Sequence, residues 1–417
     1  MKAREKAHKL LCEIILNKQY SNLILRKELN DFDQQDKNFI TNIVYGTMQN
    51  YRYVRYQWYD YVEKKIADDM AVLMDMSIYQ MLFMDKVPTY AIVNEAVEIA
   101  STLHKGKYKS MINAMLRRFM REGKKEVNGD DITKLSIETS HPEWIVRMWN
   151  KQYGYETTQK ICYDNQSVPV QACRVNTLKT TKEELLKNPK FRLGQLSRDA
   201  LIYESGNIAH SDEYVNGLIT IQDESSQCVA LFLDPKENDK VLDVCSAPGT
   251  KTTHMAQLMN DKGMIIACDI HPHRVELIKN SIERLNLNCI HPQVLDGTLA
   301  HETFDQQEFD CILVDAPCSG YGTLKRKNDI KVHMKPEDMD EIIQIQKNIL
   351  NSISNLLKIN GTLVYSTCTL NKKENEKQVE NFLKQHPNYE CLEMRTIFPF
   401  EFNSDGFFMA KFKRIYE

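Results

Sequence analysis

Apolar and polar positions change rhythm twice along this chain. Up to about residue 125, apolar side chains recur at three- and four-residue steps, as in Ala7, Leu10, Leu11, Ile14 and Ile15, and later in Ala91, Ile92, Ala96, Val97 and Ile99. That spacing predicts amphipathic helices throughout, interrupted at Pro88 by a turn. Residues 121–140 are polar and contain Gly123, Gly129, Asp130 and Asp131, which predicts a linker. Ser140 ahead of Pro142 and Glu143 then marks a helix start. Short strand-like runs at 170–175 and 218–222 predict a small α/β module.

From about residue 229 the pattern alternates. Short apolar runs at 240–244, 264–269, 310–315 and 361–366 are separated by helix-period stretches such as 273–286 and 336–358. In the latter, Ile342, Ile345, Ile349, Ile353 and Leu356 share one face. Alternation of this kind predicts a parallel sheet covered by helices on both sides, with ligands beyond the carboxyl ends of the strands. The pattern therefore divides the chain into an all-helical domain at 1–130, an α/β module at 131–228 and a doubly wound domain at 229–417.

Composition narrows the class. The 417 residues are 42% hydrophobic and 27% charged, enough for two or three domains with real cores and too apolar for a disordered chain. No apolar run approaches the roughly 20 residues that span a bilayer, and the start MKAREKAHKLLCEIIL carries no secretory h-region. A cytoplasmic protein with no membrane partner is expected. The net charge of -3 conceals an asymmetry. Residues 1–200 hold 32 basic and 25 acidic side chains, and residues 201–417 hold 22 and 32. A front with net charge +7 suits a polyanionic partner, whereas the back, at -10, has other work. The 11 cysteines are odd in number, with no C-x-x-C pair and no zinc-type Cys/His spacing. This argues against a disulfide framework and a metal site, and for a reducing compartment.

The strand ends carry the candidate chemistry. The first reads Asp243-Val244-Cys245-Ser246-Ala247-Pro248-Gly249-Thr250-Lys251. Its glycine turn admits close backbone approach, yet it is neither a dinucleotide fingerprint nor a P-loop. The second ends in Asp269, where doubly wound nucleoside-binding folds receive ribose hydroxyls. The third ends in Asp296-Gly297, suited to an adenine edge. Each aspartate alone is more often a helix cap. Together the three ends suggest an adenosine-containing ligand held without a phosphate cradle, a description that S-adenosyl-L-methionine fits.

The fourth strand ends Asp315-Ala316-Pro317-Cys318 and the fifth ends Ser366-Thr367-Cys368, which places two thiols and a carboxylate at neighbouring positions. Methylation of a pyrimidine at C5 needs such a set. That carbon is a poor nucleophile until a thiolate adds to C6, and a second group must then take the C5 proton. The competing view treats Cys318 and Cys368 as two more buried cysteines. First principles do not say which thiol attacks.

The segments DVCSAPGTKT, DAPCSGYGTL, YSTCTL followed by NKKENE, and SDGFFMAKF resemble the motifs of the RNA cytosine-C5 methyltransferases of the Sun/Fmu (RsmB) family. Upstream, RVNTLK at 174–179 and IQDESSQ at 221–227 resemble the segments before the catalytic domain in that family. The front, with VYGTM, VPTYAIVNEAVEIA and INAMLRR, resembles a NusB-type RNA-binding domain. The resemblance covers almost the whole chain. It implies a NusB-like domain, a small α/β, RRM-like middle module and a Rossmann-like class I methyltransferase domain with a mainly parallel seven-stranded sheet. It implies that Cys245, Ser246, Ala247, Pro248, Gly249, Thr250 and Lys251, with Asp269, Asp296 and Asp315, hold S-adenosyl-L-methionine. It further implies that Cys368 is the nucleophile, that Cys318 assists adduct breakdown, and that Asp315 meets the cytosine N3. The implied partner is 16S ribosomal RNA, and the implied protein is monomeric, without metal.

Two basic groups are candidate phosphate contacts. Arg117, Arg118 and Arg121 lie in the basic run at 101–125, and Lys325, Arg326 and Lys327 directly follow the Cys318 loop. The aromatic stretch Tyr51–Tyr61 reads as helix core before RNA platform. Rival functions are the same chemistry on tRNA, a non-catalytic NusB-like RNA-binding factor, and an amino-group methyltransferase. The last expects a Pro-Pro-aromatic sequence where Ala316-Pro317-Cys318 stands.

Overall fold

The computed structural model describes residues 2–63 and 65–417. The chain forms two compact units, Met1–Ser167 with Leu324–Lys335, and Val168–Thr323 with Pro336–Glu417.

The first unit is helical because its apolar stripes close on one another. Helix Ala3–Ile15 buries Ala7, Leu10, Leu11 and Ile14, while Asp68–Phe83 is buried on nearly every side and forms the centre. Pro88 sits directly before Thr89–Thr102, where its missing N–H costs the helix no hydrogen bond. Of residues 51–61, Val54, Gln57 and Trp58 lie in the core, whereas Arg52, Tyr59 and Asp60 are exposed. Trp58 is buried, and its indole N–H donates to buried Asp75 at 2.9 Å, with Arg55 completing the carboxylate at 2.5 Å. The expected linker at 121–140 is shorter than its composition suggests. Helix Lys109–Glu122 ends at Gly123, and a new helix, Asp131–Glu138, begins where the Asp130 side chain accepts the Thr133 N–H at 2.7 Å. The Gly-Asp-Asp run is thus a helix cap.

The second unit holds two sheets. Strands β1 (Gln171–Val175), β2 (Phe191–Leu193), β3 (Ala200–Tyr203) and β4 (Ile219–Ile221) form an antiparallel sheet in the order β2-β3-β1-β4. The second sheet takes β5 (Lys240–Asp243), β6 (Met264–Asp269), β7 (Ile290–Val294), β8 (Phe309–Asp315), β9 (Leu357–Thr367), β10 (Tyr389–Ile397) and β11 (Phe407–Arg414). Their order is β10-β11-β9-β8-β5-β6-β7, with only β11 antiparallel to its neighbours. This is the expected mainly parallel, seven-stranded, Rossmann-like sheet. The order reverses between β5 and β8, the switch point where doubly wound sheets open a crevice. Strand β9 begins four residues earlier than predicted. The strand runs through Asn360-Gly361, and its pairing with β8 slips between Phe309 and Cys311.

Candidate active site

Register brings the two thiols together. Asp315, the last residue of β8, pairs with Ser366 on β9, and the Ala316 N–H extends the ladder to Ser366 O at 2.9 Å. Cys318 and Cys368 therefore leave adjacent strand ends side by side. Their sulfurs stand 3.4 Å apart, and both are partly exposed. The hydrogen bond to Cys368, together with burial, pushes the Cys318 thiol well above its ordinary pKa, so Cys318 retains a proton. Asp315 is held on both oxygens, by Lys251 Nζ at 2.7 Å and by Ser366 Oγ at 2.8 Å. Burial disfavours the Lys251 charge, but Asp315 outweighs it and raises the Lys251 pKa. The same ammonium lies 5.1 Å from the centre of the Phe407 ring.

The loop after β5 wraps toward these groups. Gly249 has φ 97°, and this left-handed turn favours glycine, although a Cβ there would meet Ile278 only at ordinary contact distance. Thr250 opens helix Thr250–Leu258 directly after it. Ser246 anchors the loop to β6, donating from N and Oγ to Cys268 O at 2.8 Å each. Arg274 donates to Ala247 O at 3.2 Å, while Pro248 is exposed. Cys245 is no nucleophile in this setting. Burial and then Asp243, Asp315 and Asp269 raise its pKa well above the ordinary thiol value. Asp269 is buried, accepts the His271 N–H at 3.1 Å and pairs with Arg274 at 3.2 Å. Asp296 caps a short helix through Thr298 N at 2.9 Å and Thr298 Oγ1 at 2.7 Å.

Sequence reasoning missed several residues around this set. Asp243 is buried, accepts Thr252 Oγ1 at 2.6 Å, and keeps its other oxygen without a hydrogen-bond partner. Burial, with Asp315 and Asp269 adding, raises its pKa to about 7. Glu374 and Asn375, within NKKENE, clamp both thiol loops. Glu374 accepts Ser319 N at 2.9 Å and Ser319 Oγ at 2.6 Å, next to Cys318. Asn375 accepts Thr367 Oγ1 at 2.6 Å and donates to Thr369 O at 2.9 Å, on either side of Cys368. Arg174, from RVNTLK, is fully buried and donates to Thr250 O at 2.8 Å and Thr253 Oγ1 at 3.1 Å. It thereby braces the start of the helix behind Gly249. The motif text marked these segments, but no local signal said what each would touch.

Of the basic candidates, Arg117, Arg121 and Lys327 are exposed. Arg118 is exposed too, paired with Glu122 at 2.8 Å and stacked on Tyr61 at 4.3 Å. Arg326 is half-buried. Lys325 departs from the phosphate-contact expectation. Its ammonium is fully buried within the first unit and paired with Asp164 at 3.0 Å, so its charge is directed inward to a carboxylate.

The chain is 40% identical to the probable ribosomal RNA small subunit methyltransferase B of Bacillus subtilis, over 99% of this chain and 98% of that one. It belongs to the ribosomal RNA small subunit methyltransferase B family. The corresponding protein of Synechocystis is 32% identical over 99% of both chains. Three family models match this methyltransferase in series: the NusB family at 1–121, the RsmF/B-like ferredoxin-like domain at 141–189, and the 16S rRNA methyltransferase RsmB/F at 230–413. The crystal structure of the protein PH0851 superposes with a TM-score of 0.84 over 99% of both chains at 23% identity, which shows a shared fold. Among the described residues, no helix is long and apolar enough to cross a membrane, and no cluster of three or more Asp, Glu, His or Cys residues could hold a metal ion.

Proposed function

We propose that this methyltransferase modifies C5 of a cytosine in 16S ribosomal RNA through a covalent bond between Cys368 and C6. The observation that carries this reading is the pair of sulfurs 3.4 Å apart beside the Asp315 carboxylate. Amino-group transfer has no use for two thiols. The rRNA substrate is supported by the names of the relatives at 40% and 32% identity.

The strand-end residues fit S-adenosyl-L-methionine on their own chemistry. Its ammonium, sulfonium, ribose hydroxyls and adenine amine are donors or cations, and Asp243, Asp269, Asp296 and Asp315 are acceptors around a glycine turn. The unpartnered, buried Asp243 oxygen marks an acceptor that the protein leaves unused. Cys245 to Lys251 would line the cofactor, which supplies an electrophilic methyl group when bound.

The chain's own residues do the rest. The Cys368 thiolate adds to C6 as N3 takes a proton from solvent, and the N3–H donates a hydrogen bond to Asp315, whose charge Lys251 secures. C5 thereby becomes nucleophilic and gains the methyl group. Cys318, next to the adduct, releases its own thiol proton to solvent, and its thiolate then takes the C5 proton as the sulfur–C6 bond breaks and N3 returns its proton to solvent. One proton leaves for each methyl gained. The family motifs around Cys318 and Cys368 support Cys368 as the attacking thiol.

Incubation of wild type, Cys368→Ser and Cys318→Ser with 16S rRNA and labelled S-adenosyl-L-methionine tests this. Cys368→Ser is expected to abolish methylation, and Cys318→Ser to accumulate a protein–RNA adduct that survives denaturing gels. Full activity in Cys368→Ser would sink the mechanism. Base-resolved mapping of 5-methylcytosine in a deletion strain separates 16S rRNA from tRNA as substrate.

A further inference from the structure

The first unit carries a cleft of about 820 Å³ that the chemistry above does not use. It lies among the ends of helices Gln34–Gln49 and Asp68–Phe83, the segment 124–127 and helices Asp131–Glu138 and Tyr155–Asp164. Three aromatic rings face it, Tyr53, Phe83 and Tyr163, and Phe83 and Tyr163 are 45% and 50% exposed. Lys124, Lys125 and Lys134 line the same space.

Phe83 is a prepared platform. It stacks on Tyr79 with ring centres 5.5 Å apart and 25° between planes, and meets Tyr53 edge-on at 6.2 Å. A ring fixed this way offers its remaining face at little further entropic cost. The lysine rim is also fixed. Gln57 exchanges two hydrogen bonds with the Lys125 backbone, at 2.6 and 3.1 Å, and Tyr56 OH donates to Glu126 O and accepts from Asn128 N, each at 3.2 Å. The Lys125 ammonium is occupied by Asp60 at 2.6 Å, whereas the Lys124 and Lys134 side chains stand exposed. The rim continues the basic run at 101–125, which holds eight Lys or Arg against one acid.

We propose that this cleft holds an unpaired segment of the RNA substrate, with a base stacked on Phe83 and Tyr163 and flanking phosphates on Lys124 and Lys134. A flat ring inside a concave, basic-rimmed wall suits a splayed base, whereas a paired helix shields its base faces. Glu126 and Glu138, also in the lining, are acceptors for exocyclic amines of the base. An aromatic groove could also take a proline-rich peptide, but that ligand has no use for the lysines. The proposal rests on the RNA substrate argued above.

Full-length protein is titrated with fluorescein-labelled 16S rRNA transcript, and separately with a fully paired RNA duplex, over a range of salt. Phe83→Leu keeps the apolar contact with Tyr79 and removes the stacking face. With Tyr163→Ala it is expected to weaken 16S rRNA binding about tenfold while the slope of log affinity against log salt stays unchanged. Lys124→Ala with Lys134→Ala is expected to reduce that slope by about 1–2. Duplex affinity should not change in the aromatic variants, and melting temperatures within a few degrees of wild type identify folded variants. Equal loss for duplex and transcript, or wild-type affinity in folded aromatic variants, overturns the proposal. Wild-type protein that binds no RNA would instead sink the substrate reading. A proline-rich peptide displaced by Phe83→Leu, with RNA binding intact, would reassign the cleft to a protein partner.

Discussion

Three thiols and four carboxylates gather at the strand ends, and their surroundings give them different states. Cys318 and Cys245 are both pushed well above the ordinary thiol pKa, but for different reasons. For Cys318 the leading cause is the Cys368 hydrogen bond, and for Cys245 it is burial among acids. Asp243 is the residue at which this crowding becomes measurable. Its folded-state pKa of about 7 lies above the ordinary 3.8. Between those pH values the folded chain keeps a proton that the unfolded chain has lost, so stability falls as pH rises through that window and levels off above it. Asp243→Asn retains an acceptor for Thr252 and removes the titration. Thermal melts from pH 4 to 8 are expected to show a flatter pH profile for the variant and a higher melting temperature at pH 7. Identical profiles would show that Asp243 is ionised at low cost.

At the scale of elements, the site depends on the approach of three loops. The Gly322 N–H donates to Cys368 O at 3.0 Å, and Gly322 O accepts the Gly406 N–H at 2.7 Å. A Cβ on Gly322 would sit 2.0 Å from Gly406 O and 2.9 Å from Cys368 O, both backbone atoms that cannot rotate away. Gly322→Ala is therefore expected to push the Cys318 and Cys368 loops apart. It should cost about 1–3 kcal/mol of stability and most of the methylation rate in rRNA assays. Retention of both would show that the loops have slack. This close approach was not legible in the sequence, because Gly322, Cys368 and Gly406 are far apart along the chain. The strands themselves were legible, since a period of two or a short apolar run needs no partner to be read. The Asp131–Glu138 helix was not, because a capping aspartate and a linker aspartate look alike until a backbone N–H is seen to meet one of them.

At the scale of the whole molecule, the chain leaves the sheet unit after Thr323, enters the helical unit at Leu324 and returns at Pro336. Within the helical unit this excursion is well anchored. Val332 packs on the core, His333 Nε2 donates to Ile14 O at 2.8 Å, Asp329 accepts the Ser21 N–H at 3.4 Å, and Lys325 pairs with Asp164. Lys331 is buried beside Gln49, its Nζ 3.5 Å from Oε1, and burial lowers its pKa to about 7. A fragment of residues 1–167 thus lacks part of its own unit. It is expected to melt at a lower temperature alone than with a peptide of residues 324–335, the shift growing with peptide concentration as linkage requires. Because the folded-state pKa of Lys331 lies at about 7, below the ordinary 10.5, the folded unit loses stability as pH falls from about 10.5 to about 7 and levels off below that. The peptide's effect should weaken accordingly as pH falls from about 9 to about 7 and change little below that. A melting temperature indifferent to the peptide would mean that the excursion adds nothing to the helical unit.

Local pattern was enough for the helical front, the alternating back and the residue types waiting at each strand end, because periodicity and strand-end chemistry are written in neighbouring positions. The family motifs added the division of roles between Cys318 and Cys368. Contacts between distant positions depended on the folded chain. The Glu374–Asn375 clamp, the Arg174 brace and the inward charge of Lys325 each join residues separated by between 6 and 161 positions, and the larger separations leave no local trace. A lysine after a catalytic loop looks the same in sequence whether it faces solvent or a buried carboxylate. Burial decides which, and burial is a property of the packed molecule.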